Sequence, residues 1–376
     1  MLYIFVTLIL LIFSSFVTLK NSYSFDSIAK QVILVDDLTG TILYSKNSSE
    51  QMHPASMSKL MTIYIAFELV KEGKLNLEDK FLISEKAWRM GGSRMFLEAG
   101  KYVTVRNLLD GIIVQSGNDA CIVLAEGISG SETGFTDLMN KKAKNLGLKN
   151  TYFENSTGWP HPKHLTTAND LAILSHKIIH DFPQYYKSFS KEKFKYNNIS
   201  QGNRNPLLNL YPGADGLKTG YTEASGYGLA ASAIRSGRRL ILVANGMESA
   251  KIRKKETSRI LDYGFSNFAN YNLFTSGDVV DQIEVWLGEK DKISLVVDED
   301  ITVTLSRAER ETLRVFISAP GPIGAPIKKG QIIAKLNINI EGKNTKIYSL
   351  SAGYDVDKLS SFQRIGAAFN QIIWGN

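Results

Sequence analysis

The sequence predicts an α+β protein in which an antiparallel sheet flanked by helices is followed by a small all-β domain and a C-terminal amphipathic helix. Three observations carry this expectation. Apolar strand-like runs at 31–44 and 227–245 enclose a block, 104–180, whose apolar residues recur at helical spacing. After about Phe274 the pattern changes to short runs that alternate apolar and polar residues. In the last segment Phe362, Ile365, Phe369, Ile372 and Ile373 recur at intervals of three and four, opposite Gln363, Arg364, Asn370 and Gln371.

A chain of 376 residues with 44% hydrophobic content is globular and long enough for two or three domains. The pattern divides it into an export segment (1–24), a main domain (25–272), the β-domain (273–357) and the terminal helix (358–376). Net charge is +7 and the sequence pI about 9.1. The basic residues are scattered, and no cluster alternates with aromatics in a way that suggests nucleic-acid readout. The excess instead suits an anionic membrane surface or wall polymer. Cys121 is the only cysteine, so stability must come from packing, and its apolar neighbours place it on a buried helix face.

Residues 1–19 are almost wholly apolar, Lys20 ends the run, and Ser22 and Ser24 supply small-x-small spacing, predicting cleavage before Phe25. No basic residue precedes the run, so an uncleaved anchor is the competing reading; either way the rest of the chain is exported. Residues 31–36 and 41–44 read as a hairpin. Pro54 opens a helix that carries Leu60, Met61, Tyr64, Ile65, Leu69 and Val70 and stops near Gly73. Four helices are expected at 105–114, 121–128, 135–146 and 168–179. Two strands, 227–234 and 240–245, turn at 235–238, and a helix with Ile252, Ile260, Leu261 and Phe265 follows. Strands at both ends of one domain make one antiparallel sheet the economical arrangement. β-runs at 279–286, 293–297, 301–305, 313–317 and 332–340 build the second domain. The terminal helix, too short and polar to span a bilayer, either lies on a membrane surface or packs on the β-domain; the first reading is favoured.

Three triplets carry the chemistry. Ser56-Met57-Ser58-Lys59 sets a serine and a lysine on neighbouring positions of one helical turn. Lys59 is useless as a base at its ordinary pKa, so the expectation is that burial and a second cation, Lys218, push it down. Ser116-Gly117-Asn118 falls at a helix junction, where Ser116 can relay a proton to the leaving group and Asn118 can hydrogen-bond the substrate amide. Lys218-Thr219-Gly220 leads into the strands. Lys218 would attract a carboxylate, Thr219 adds a hydroxyl, and Gly220 allows close backbone approach. An oxyanion hole would come from the backbone N–H groups of Ser56 and Tyr221. Each triplet alone is a helix pair, a turn or a strand end; three in this order describe an acyl-transfer site. His161 and His164 sit between prolines with no third ligand nearby and read as a solvated loop rather than a metal site. The sequons at Asn47, Asn155 and Asn198 read as coincidental.

The trio corresponds to the S-x-x-K, S-D-N and K-T-G signature of β-lactamases and penicillin-binding proteins, with Gly in the middle motif. The chain resembles the low-molecular-mass penicillin-binding proteins, the D-alanyl-D-alanine carboxypeptidases of peptidase family S11. The likeness includes residues 93–97, 108–121, 146–150 and 203–205 and runs from about Gln31 to the C-terminus. It implies a penicillin-binding/β-lactamase-like catalytic domain with Ser56 forming the acyl-enzyme, Lys59 accepting its proton, Ser116 as second catalytic serine and Lys218 binding substrate. Arg253 matches the family arginine that holds the terminal carboxylate, Arg204 matches a second arginine at a spacing one residue different, and Tyr221 stands where some members carry His. The implied reaction removes the terminal D-alanine from peptidoglycan stem peptides ending in D-Ala-D-Ala, with no metal or cofactor. β-Lactam antibiotics would be covalent inhibitors of the same serine. The β-domain would be a stalk or partner surface, and the last helix would hold the enzyme peripherally to the outer, periplasmic face of the cytoplasmic membrane.

Rival activities stay open on the residues alone. A D,D-endopeptidase would use the same site on cross-links, and a non-hydrolytic wall-binding or β-lactam-sensing protein would acylate without turnover. A β-lactamase would need a glutamate such as Glu154 to activate water, but the loop around Glu154 reads as structural.

Overall fold

The structure is a computed structural model and describes residues 25–360. The export segment and most of the terminal helix, and with them the membrane reading, lie outside the described residues. No helix among the described residues is long and apolar enough to cross a membrane.

The main unit is one antiparallel sheet built from both of its ends. Strands β1 (Gln31–Asp36) and β2 (Ile42–Lys46) form the expected hairpin. Strands β3 (Ala214–Thr222), β4 (Gly226–Arg235) and β5 (Arg238–Met247) complete the order β2-β1-β5-β4-β3. Successive side chains point to opposite faces, so β1 divides its apolar residues. Ile33 joins Ala230, Ile241 and Val243 under the helical block, whereas Val32 and Leu34 join Leu229, Leu240 and Leu242 on the other face.

On the first face the helical block is centred on α1 (Lys59–Lys71), buried along its first nine residues. Such an all-round apolar helix belongs inside a domain. Around it stand α2 (Val105–Asp110), α3 (Asn118–Ser129), α4 (Glu132–Asn145) and α5 (Ala168–Asp181). Thr167 caps α5 by accepting from Asp170 N at 3.0 Å. On the second face lies α6 (Ala250–Asn267), with Ile260 and Leu261 buried against the sheet. One strand adds to the expected set. Lys218-Thr219-Gly220 leads into the two expected strands from inside a third, β3, whose glycines weaken its propensity signal; eight residue pairs with β4 fix it as the sheet's edge strand.

The C-terminal strand-rich unit has its own core of Ile293, Leu295, Val297, Val303, Leu305, Leu336 and Leu350. α6 runs directly into β6 (Phe268–Phe274), which passes residue 272 and pairs with Ile301–Ser306. At the junction of the units Asp36 is fully buried. Its carboxylate accepts from Arg238 Nε at 2.7 Å, Thr39 N at 3.1 Å and Asn270 Nδ2 at 3.3 Å, tying the hairpin turn to the next unit. Thr39 and Thr304 add a hydroxyl contact across the same junction. Removing one member of a buried ion pair strands the other, so Asp36→Ala is expected to cost about 3–5 kcal/mol in denaturant unfolding. A loss below about 1 kcal/mol would show that Arg238 finds another partner.

Candidate active site

A short 3-10 turn, Ala55–Ser58, leads into α1 and presents Ser56. Ala55 adopts φ +48°, a left-handed conformation costly for a residue with a Cβ. Three contacts hold it there. Gly158 presses so close that a Cβ on it would sit 1.8 Å from Ala55 O. Gly220 of β3 approaches from the other side, where a Cβ would meet Pro54 O at 2.8 Å. Ser58 Oγ donates to Ala55 O at 2.8 Å.

The Ser58 hydroxyl is itself held by His164, whose Nε2 lies 2.8 Å from Ser58 Oγ and whose Nδ1 accepts from Glu154 N at 3.3 Å. Because Ser58 gives its proton to Ala55 O, His164 carries its own on Nε2, the tautomer the Glu154 amide requires. Burial, reinforced by His161 and His53, lowers the His164 pKa to about 4, so it is neutral at physiological pH. The solvated-loop reading of His164 is therefore wrong: it is 2% exposed and braces the turn that bears Ser56. The flanking prolines pointed to a loop but not to what it packs on.

Lys59 is fully buried and its Nζ meets three oxygens: Ser56 Oγ at 2.9 Å, Asn118 Oδ1 at 2.8 Å, and Thr157 O. Burial, aided by the Arg204 charge, lowers its pKa to about 8. Lys218 and Lys59 repel each other as expected, and Arg204 is a further cation acting on both. The repulsion between the two lysines appears on Lys218, held well below its ordinary value by burial, then by Lys59 and Arg204. A neutral amine has two N–H bonds and one lone pair. The two carbonyl oxygens accept those bonds, which leaves the lone pair for the Ser56 hydroxyl.

Thr157 O is a functional group the sequence did not reveal, since a backbone carbonyl has no residue signature. The adjoining Asn155 shapes its loop: Oδ1 accepts from Thr157 N (3.2 Å), Thr157 Oγ1 (2.9 Å), Gly158 N (2.8 Å) and Trp159 N (2.9 Å). Thr62 on α1 fastens the loop by donating to Ser156 O at 2.7 Å. The sequon at Asn155 thus coincides with a turn-forming asparagine.

The middle triplet ends a π-helical turn. Ser116 has φ +64°, is 2% exposed, and its buried Oγ has no hydrogen-bond partner among the described residues. Asn118 opens α3. Besides accepting from Lys59, it donates from Nδ2 to Gly91 O at 2.9 Å, which leaves one amide N–H for a ligand. Asp119 accepts from Met95 N at 3.0 Å and Leu97 N at 3.2 Å, holding the 93–97 segment against α3. Cys121, buried behind, has its thiol pKa raised to about 12 and is inert.

These pieces face one cleft of about 960 Å³, lined by Ser56, Ser116, Asn118 and Thr157 on the helical side and by Thr219, Gly220 and Tyr221 on the strand side. Tyr221 is 51% exposed and packs on Tyr227, ring centroids 4.2 Å apart. Arg204 and Arg253 also line the cleft. Arg253 lies over the Tyr227 ring at 5.5 Å, its Nε is buried without a partner, and burial lowers its pKa to about 10. Among the described residues no carboxylate lies within ion-pair distance of Lys59, Lys218, Arg204 or Arg253. Two guanidinium groups beside two buried amines, without a counterion among the described residues, make a site for an anion. Glu154 does not line the cleft and instead faces His161 at 3.5 Å.

Comparison with known proteins follows the same lines. Residues 18–249 match the family described as D-alanyl-D-alanine carboxypeptidase, and residues 268–358 match the C-terminal domain of penicillin-binding protein 5. The chain is similar to the D-alanyl-D-alanine carboxypeptidase DacF of Bacillus subtilis, 37% identical over 340 residues, covering 88% of this chain and 86% of that protein. It is also similar to the crystal structure of penicillin-binding protein 5 from Haemophilus influenzae, with a TM-score of 0.79, 35% identity, and coverage of 89% of this chain and 99% of that one. Penicillin-binding protein D2 from Listeria monocytogenes, solved in its ampicillin-bound form, aligns with a TM-score of 0.59 and 29% identity over 64% of this chain and 99% of that one.

The close packing at Gly220 yields a direct test. Gly220→Ala is expected to push β3 off the Pro54–Ala55 backbone and cost about 1–3 kcal/mol, the usual range for overpacking. Chemical denaturation checks it, and an unchanged midpoint would show that the edge strand yields freely.

Proposed function

The chain belongs to the D-alanyl-D-alanine carboxypeptidase family of serine peptidases, and on that premise we propose that Ser56 attacks the penultimate D-alanyl carbonyl of a peptidoglycan stem peptide, with Lys59 as proton acceptor. The protein is a serine-type D-Ala-D-Ala carboxypeptidase, a hydrolase of cell-wall metabolism. The observation that carries the assignment of roles is the buried amine of Lys59, its pKa lowered to about 8, at 2.9 Å from Ser56 Oγ.

The steps follow from the geometry. Two carbonyls occupy the N–H bonds of neutral Lys59, so its lone pair takes the Ser56 proton as the hydroxyl oxygen attacks. The tetrahedral oxyanion is received by the backbone N–H groups of Ser56 and Tyr221, which border the cleft from opposite walls. Ser116 Oγ, buried and without a partner, carries the proton to the departing amine of the terminal D-alanine. Lys218, Arg204 and Arg253 hold the terminal carboxylate, while Thr219 and the remaining N–H of the Asn118 amide orient the peptide. Water then resolves the ester and returns the enzyme.

β-Lactams mimic the same acyl donor and would acylate Ser56; the ampicillin-bound relative of similar fold supports this. The 25–272 catalytic unit would stand on the 273–357 β-rich unit. The terminal segment, amphipathic in its spacing, would hold the enzyme at the outer face of the cytoplasmic membrane.

Two measurements check this reading. Ser56→Ala is expected to lose D-alanine release from a diacyl-D-Ala-D-Ala peptide by about 10³-fold or more. It should also lose the penicillin adduct seen by intact-protein mass spectrometry. An adduct mapped to any other residue overturns the nucleophile, and an adduct without D-alanine release from the unaltered enzyme favours the sensor reading.

The second is the pH profile. The folded-state pKa of Lys59 lies below its unfolded value of 10.5, so the neutral base accumulates as pH rises through about 8. The acylation rate is expected to climb about tenfold per pH unit below that point and level off above it. The same sign makes the charged amine a cost to folding that is relieved between about pH 8 and 10.5. An acylation rate flat from acid to alkaline pH would remove Lys59 as the base.

A further inference from the structure

We propose that His176, His180 and Asp37 form a surface binding site for a late first-row divalent cation, with Zn²⁺ as the probe. Two of the chain's five histidines stand four residues apart on α5. That spacing places them on one face of the helix, and their ring centroids lie 4.2 Å apart. Asp37, from the turn between β1 and β2, gives one carboxylate oxygen to each imidazole: Oδ1 to His176 Nδ1 at 2.7 Å and Oδ2 to His180 Nε2 at 2.9 Å. All three ligand atoms fall within 4.8 Å of one another.

The support beneath this cluster is rigid where the ligands attach and open where an ion would arrive. Asp37 is 7% exposed, and its backbone N–H donates to Arg239 O at 3.0 Å. Leu171, Leu174 and Ile178 bury the opposite face of α5, fixing the histidine face outward. The imidazoles are 43% and 50% exposed, which leaves a path for the cation and room for a water ligand. The nearby guanidinium of Arg239 reaches Asp37 at only 3.8 Å and spends its closer contact, 2.8 Å, on Asp215. The Asp37 carboxylate is thus left to the two histidines.

The donor set decides the class of ion. Two imidazoles and one carboxylate suit Zn²⁺, Ni²⁺ or Cu²⁺, whereas Ca²⁺ and Mg²⁺ call for oxygen ligands. Ligands at about 2.0–2.2 Å from Zn²⁺ stand roughly 3.3 Å apart in a tetrahedron, so the imidazole–carboxylate contacts need open by only about half an ångström. None of the three residues lines the catalytic cleft. The bound ion would staple α5 to the hairpin turn that also meets the β-rich unit through Asp36 and Thr39. Its role is structural.

The test uses the full, tag-free chain after chelator treatment, titrated with Zn²⁺ by calorimetry at neutral pH. One saturable site is expected, accompanied by a rise in melting temperature. Its affinity should fall at least about tenfold in His176→Gln and in His180→Gln and be unchanged in His161→Gln. D-Alanine release by the metal-free variants should equal that of the metal-free parent, showing that they fold. Co²⁺ in place of Zn²⁺ should give the intense visible bands of a four-coordinate ion. No saturable binding, or binding that survives loss of both histidines, would leave the trio a plain hydrogen-bonded contact and overturn the proposal.

Discussion

The amine of Lys59 is fully buried, and the rest of the main domain is arranged to make that tolerable. A primary amine buried to 0% exposure must either be paired with a carboxylate or give up its proton. Among the described residues no carboxylate stands within pairing distance; instead one side-chain amide, one loop carbonyl and one serine hydroxyl surround it. Each comes from a different part of the chain: the 3-10 turn, the start of α3, and the loop before α5. Satisfying one nitrogen therefore brings three segments together, and the cleft is the space left between them and β3.

The same segments carry backbone conformations that ordinary side chains avoid. Ala55 and Ser116 both have positive φ, and each lies at or next to a proposed catalytic serine. Such conformations cost about 1–3 kcal/mol apiece and persist only where neighbours over-determine them. For Ala55 the neighbours are Gly158, Gly220 and the chain from His164 through Ser58. The glycine of the third triplet is thus explained twice: it lets substrate approach the strand, and it lets the strand approach the turn that bears Ser56.

Much of this was legible in the sequence, for identifiable reasons. The hairpin, the helical block and the β-rich unit announced themselves because apolar periodicity differs between strand and helix. Ser56, Lys59, Ser116 and Lys218 were legible because acyl transfer needs their side chains in that order. What escaped was whatever acts through the backbone or through burial. Thr157 contributes a carbonyl that any residue could supply. His164 acts by packing between prolines that suggested only a loop. That Arg204 joins Lys218 in acting on Lys59 depends on which charges the fold leaves close and desolvated, which spacing cannot tell. The pairing that places Lys218-Thr219-Gly220 inside β3 was hidden because its partner strand, not its own composition, makes it a strand.

The two buried lysines also constrain each other. Both are buried, and each disfavours the other's charge. An anion arriving at the cleft changes that balance unequally. On the roles proposed above, a substrate carboxylate held by Lys218, Arg204 and Arg253 would favour the charged form of Lys218, because opposite charges at close range raise a lysine pKa. A charged Lys218 in turn makes a proton on Lys59 less favourable. On those roles, binding the correct end group would favour a proton on Lys218 and disfavour one on Lys59. A peptide lacking the terminal carboxylate would fill the same cleft without dividing the proton this way, so selectivity for a chain end enters the chemical step itself as well as the affinity.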